Sequence, residues 1–231
     1  MRTLPQWYRD ERKKLSGYSF WDKLKYIWQY YKLWILGIGF VVGFAAYALI
    51  IYFTVPGDIY FYGIFSNTYA RLGRGSEFYD GFVEAAGYDL SKGVVELDSA
   101  NYCRPSVNAT GNTYYDALVS MLDGAVDDVW VAQAEDVAAV GAAGRLMDLN
   151  SESAAPLRER YADRFVYTTP LREDYSDQPV PIAIDLSGTV LTEGEHSAYP
   201  DGAVLGVNAY TKRLDQVVVF LDYLFGSRGA D

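Results

Sequence analysis

Asp185-Leu186-Ser187-Gly188-Thr189 sets a carboxylate two positions before a hydroxyl, and His196, the only histidine of the chain, lies a few residues further on. A Ser-His-Asp relay would need His196 to take the serine proton. Its setting, Glu193-Gly194-Glu195-His196-Ser197-Ala198-Tyr199-Pro200, is rich in turn residues, where an exposed histidine is the default. Hydrolysis by two carboxylates sharing one proton would need two D-[ST]-G-[ST] loops. Leu186 interrupts the only near-copy.

Other reactive types are as sparse. Cys103 is the single cysteine, which rules out an internal disulfide and a Cys-rich metal site and leaves the redox compartment undecided. Asp123, Asp127 and Asp128, and likewise Glu173, Asp174 and Asp177, lack calcium-loop spacing and read as solvated acidic faces. Gly73 and Gly75 make only a G-x-G fragment, so no phosphate loop and no cofactor are expected. Asn108-Ala109-Thr110 fits a glycosylation sequon, which has meaning only in a host that modifies it. No catalytic constellation emerges, and a non-enzymatic role is expected.

The elements that would position these residues begin after an apolar run. Leu33 to Phe53 carries no charge over 21 residues. As a helix it would span roughly 31 Å, matching a hydrocarbon core of about 30 Å. Ala46-Tyr47-Ala48 has the form of a signal cleavage site, but the run continues through Leu49, Ile50 and Ile51, and the segment before it is long for a signal. The expectation is an uncleaved single-pass anchor.

Residues 1–32 carry eight Lys or Arg against three Asp or Glu, whereas residues from 54 onward carry twelve against twenty-seven. Lys13, Lys14, Lys23, Lys25 and Lys32 hold the first segment in the cytoplasm by the positive-inside rule, leaving the acidic domain outside the plasma membrane. An acidic domain repels phosphate backbones, so nucleic acid is not an expected partner. Gly39 and Gly43 form a G-x-x-x-G pair that would support a homodimer, although glycine is common in membrane helices. In the cytoplasmic segment, Ser19 and Asp22 resemble a capping box, and Trp21, Leu24, Trp28 and Tyr31 recur at helical spacing between lysines. Such a basic, aromatic helix is expected to lie along the anionic leaflet or bend into the membrane helix; a protein partner is the alternative.

Beyond Pro56 and Gly57, the pattern predicts strands over 58–65, 93–100, 128–133, 179–186 and 203–209. Helices are predicted over 77–86, from Thr113 to Gly124, from 134 to Gly144, from Ser153 to Arg164 and over 211–225. Alternating strands and helices point to an α/β sandwich with a largely parallel sheet over 58–226, followed by a short tail, 227–231.

Gly124 to Asn150, through Asp128, Val129, Gly144, Leu146 and Leu149, resembles a segment of extracytoplasmic solute-binding proteins of the type 2 periplasmic class. Val180 to Gly188 is similar to the central strand that follows it, and Ala203 to Gly226 to the late strand and helix. The resemblance implies a periplasmic-binding-protein-like fold. Members are two-lobed, and only about 17 residues separate Asp185 from Ala203, too few for a second lobe. A one-lobed relative is therefore expected, with the membrane helix in place of a lipid anchor. It would act as an interaction, accessory or sensor element of a membrane assembly such as a transporter; the alternative is a solute receptor whose cleft a partner or dimer completes. A pocket would lie at the carboxyl ends of the strands, where Ser66, Asn67, Gln133, Asp185 and Ser187 are the polar candidates. The same residues could instead serve as caps and turns.

Overall fold

The computed structural model describes residues 16–54, 58–171, 178–194 and 197–226, together with residues 6, 10 and 13. Pro56, Gly57, Glu173, Asp174, Asp177, His196 and the 227–231 tail lie outside the described residues. The chain divides into two units, Met1–Val55 and Pro56–Asp231.

The first unit holds one long helix, α1 (Phe20–Thr54). Ser19 Oγ donates to Asp22 Oδ2 at 2.8 Å and accepts from Asp22 N at 3.3 Å, which is the expected capping box. The basic aromatic segment from Phe20 and the apolar run form a single helix. The physical reason is that no glycine or proline occurs from Phe20 to Leu36, and nothing interrupts the backbone ladder there. α1 is long and apolar enough to cross a membrane, and its apolar window is unburied.

The second unit contains β1 (Asp58–Ser66), α2 (Glu77–Ala86), β2 (Gly93–Asn101), α3 (Pro105–Asn108), α4 (Thr113–Asp123), β3 (Val129–Ala132) and α5 (Ala134–Ala142). There follow α6 (Ala155–Tyr161), β4 (Phe165–Thr168), β5 (Val180–Asp185), β6 (Val204–Val207) and α7 (Leu214–Leu224). The strands form one six-stranded sheet in the order β2-β1-β3-β6-β5-β4. Alternation along β3 sends Val129 and Val131 to one face and Trp130 and Ala132 to the other. On the first face Phe82 of α2, Leu157 of α6 and Phe220 of α7 close the core. On the second, Leu118 of α4 and Val137 of α5 do so.

The sheet is mixed rather than largely parallel. β1, β2 and β3 are joined through helices and pair in parallel. β4, β5 and β6 follow one another with no described helix between them, and β6 enters antiparallel to both β3 and β5. Caps fix several boundaries. Ser76 accepts from Tyr79 N and Gly87 takes a φ of 67° at the end of α2. The N-cap of α4 is Asn112, whose side chain accepts from Tyr114 N and Tyr115 N.

Gly206 lies where the sheet meets α5, and a Cβ there would sit 2.6 Å from Leu146 Cδ1 and 3.2 Å from Val137 Cγ1. Gly206→Val is therefore expected to cost about 1–3 kcal/mol by overpacking, read as a lower urea midpoint with unchanged slope.

The acidic run before β3 is not a solvated face. Asp127 and Asp128 are fully buried. Asp128 accepts from Tyr62 N (2.9 Å), Thr211 Oγ1 and Arg213 Nε (2.9 Å), and Arg213 Nη2 also donates to Val126 O (2.8 Å). One carboxylate thereby ties β1 and the start of β3 to the turn that opens α7. Asp127 Oδ1 accepts from Asn208 Nδ2 at 3.2 Å, and its Oδ2 has no hydrogen-bond partner among the described residues. Asp123 is at the surface, paired with Arg145 at 3.0 Å.

Candidate cleft at the carboxyl ends of the strands

β5 is antiparallel to β6 and β6 to β3, so β5 runs in the same sense as β1, β2 and β3. The carboxyl ends of these four strands share one edge of the sheet. All five candidate residues are at that edge, but they have two fates.

Ser66 and Asn67 are taken up by the fold. Ser66 is fully buried; its Oγ donates to Asn101 Oδ1 (2.6 Å) and accepts from Trp130 Nε1 (2.8 Å). Asn67 adopts a φ of 59°, and its Nδ2 donates to Cys103 O. Ala198 and Tyr199 cover them: Tyr199 Oη lies between Ser66 O (2.9 Å) and Val131 O (3.2 Å), and Thr68 Oγ1 donates to Ala198 O (3.0 Å). Burial pushes the Tyr199 phenol well above its ordinary range, so it stays a donor. Tyr199→Phe is expected to leave two buried carbonyls without this donor and to cost about 1–2 kcal/mol, measurable by thermal or urea unfolding.

Gln133, Asp185 and Ser187 do come together. They line an open cleft of about 480 Å³, joined by Glu135 and Asp201 and by Ala203 and Val204. Asp185 Oδ1 accepts from Ser187 N (3.0 Å) and Ser187 Oγ (2.8 Å), a turn that Gly188 continues with a φ of 84°. Arg164 Nη1 donates to Ser187 O (2.8 Å), and its guanidinium lies 4.5 Å from the centre of the Phe225 ring. Gln133 occupies the N-cap position of α5, and its side chain makes no capping bond. Arg104 Nη2 instead donates to Gln133 Oε1 (3.3 Å) and to Glu135 Oε1 (3.2 Å).

Sequence reasoning missed Glu135, Asp201 and Arg104. They come from three separate segments, and only the adjacent ends of β3, β5 and β6 bring the two carboxylates to one cleft. The usable signal was the carboxylate close to one end of each of three strands, Glu135 after β3, Asp185 closing β5 and Asp201 before β6, rather than runs of acid along the chain.

Three carboxylates, Glu135, Asp185 and Asp201, line the cleft, while Arg104 and Arg164 bond its lining residues from beside it; the balance is acidic, suited to hydrogen-bonding or cationic groups. Ser187 Oγ is engaged by the aspartate of its own turn, an arrangement that orders the loop. Among the described residues no three His, Cys, Asp or Glu side chains converge as metal ligands. Comparison with family models, characterised proteins and solved structures finds no match to this chain.

Proposed function

We propose that this chain is a single-pass protein of the plasma membrane, with its first segment in the cytoplasm and a non-enzymatic, one-lobed α/β domain outside. The domain acts as an interaction, accessory or sensor element of a membrane assembly such as a transporter. Support for the placement comes from α1 and the lysines clustered on one side of its apolar run. The segments that resemble solute-binding proteins form β3–α5, β5 and β6–α7, including three adjacent strands of the sheet. One observation carries the functional reading: where a second lobe would insert, Tyr199 instead closes the edge above β1 and β3. A lobe closed in this way has less concave surface for a solute and keeps its outer surface for protein contacts.

Crosslinking in native membranes, followed by identification of what is attached to the outer domain, tests this. Reproducible recovery of one membrane assembly is the expected result. Recovery of nothing beyond abundant neighbours, or protection of the domain from protease added to intact cells, overturns it.

The open cleft favours a second reading, a solute receptor completed by a partner, because Gln133, Asp185 and Ser187 converge there. A thermal-shift screen with amino acids, amines, sugars and peptides separates the two. A ligand at about 100 times its dissociation constant adds roughly 2.7 kcal/mol.

A further inference from the structure

We propose that the aromatic stripe at the start of α1 is covered by a second copy of this chain, in a parallel two-helix seam that begins outside the bilayer and continues into it. This rests on α1 spanning the membrane as proposed above. With the hydrocarbon edge at Leu33, the rise of about 1.5 Å per residue places Leu24 and Trp21 roughly 14 and 18 Å beyond it. Headgroups extend only about 5–7 Å on each side. The helix is continuous across this boundary, so lipid does not reach these two side chains. Both are large apolar side chains, at 50% and 69% exposed.

Trp21, Leu24, Trp28 and Tyr31 are spaced by three, four and three residues, and the same rhythm continues through Ile35, Ile38 and Val42. An apolar residue every 3.5 positions is the pattern of two helices in register. All polar residues of the extramembrane stretch (Asp22, Lys23, Lys25, Gln29 and Lys32) fall off this line. Two copies inserted in the same sense are necessarily parallel. Lys25 and Lys32 of one copy then face the apolar positions of Phe20 and Ile27 on the other, and the lysines do not oppose one another. A membrane-flanking stretch that is strongly basic thus pairs without like charges in its seam.

The areas set how much of α1 must take part. An aromatic side chain buries about 150–250 Å², which at the 69%, 57% and 40% exposures of Trp21, Trp28 and Tyr31 offers roughly 300 Å² per copy. A stable interface takes about 800 Å² per partner. The extramembrane stretch is insufficient alone, and the seam has to run on through the membrane positions. Gly39 and Gly43 lie off this line, so the face differs from a G-x-x-x-G contact.

The test uses the full chain in its membrane, carrying single added cysteines at Leu24, Tyr31 or Ile38 on the seam, at Lys23 or Gln29 off it, and at Gly39 or Gly43. Cys103 is buried and stays in place, with the parent chain as blank. Mild oxidation is expected to give several-fold more disulfide dimer at the three seam positions than at the off-seam ones. Uniform crosslinking, none, strongest crosslinking at Gly39 or Gly43, or capture of a different protein overturns the seam. Alkaline carbonate extraction of the same membranes reads the anchor separately: release overturns both proposals, whereas retention without periodic crosslinking overturns the seam alone.

Discussion

Asp128→Ala is expected to remove about 3–5 kcal/mol of stability, enough to unfold a marginal domain. The change deletes an acceptor that is fully buried and serves Tyr62 N, Thr211 Oγ1 and Arg213 Nε together. Two of those donors belong to the turn that opens α7, the helix whose Phe220 packs against Phe61 and Phe65. Arg213 keeps its bond to Val126 O and some solvent contact, which sets the expectation toward the lower end of that range. Asp123→Ala is the internal comparison. Its carboxylate is half exposed and, among the described residues, is paired with Arg145, so the loss there is expected to be below about 1 kcal/mol. Urea unfolding of the full chain, followed by near-ultraviolet circular dichroism, distinguishes them. Equal midpoints for the two variants would sink the assignment of Asp128 as the tie between β1, β3 and the turn before α7.

How far the fold was legible depended on whether the signal was local. α2 was readable because Ser76 and Gly87 frame it in sequence and the cap bonds span only a few residues. β1, β2 and β3 were readable because β-branched and aromatic residues are concentrated in each. β4 was not, since four residues at a sheet edge, with mostly half-buried side chains, leave almost no pattern. The sense of β6 is decided by which neighbour receives it, a long-range matter invisible in Val204–Val207 itself. α7 shows a partial case: a helix was expected over 211–225 and forms over Leu214–Leu224, because Thr211 and Arg213 are held on Asp128 in the turn before it.

The candidate cleft was legible to the level of an edge. That Ser66, Asn67, Gln133, Asp185 and Ser187 follow strand ends can be read from the chain. Which ends stay open cannot, because closure comes from Tyr199, more than a hundred residues from Ser66. The acidic pair failed in the opposite direction. Neighbouring aspartates usually face water, and nothing local announces that Asn208, Thr211 and Arg213 will cover these two.

Stability is expected to fall as pH rises from about 4 to about 7, because of the second member of that pair. Burial raises the Asp127 carboxyl from its ordinary value near 3.8 to about 7, with the bond from Asn208 only partly opposing it. Below that window folded and unfolded chains are both protonated, and within it the unfolded chain sheds a proton the folded chain retains. Each unit of separation corresponds to about 1.4 kcal/mol, so the full cost above pH 7 is on the order of 4 kcal/mol. The sign is opposite to that of a carboxylate stabilised by an ion pair, which loses its contribution on acidification. Asp127→Asn keeps the shape and the neutral state, leaving Asn208 an acceptor while removing the titration. Its unfolding free energy is expected to be nearly level across this window and to exceed that of the parent chain at pH 8. A parent profile that is flat between pH 4 and 7, or an asparagine variant that keeps the slope, would show that water reaches this carboxyl and that the amino end of β3, where Asn208 covers Asp127, is open in solution.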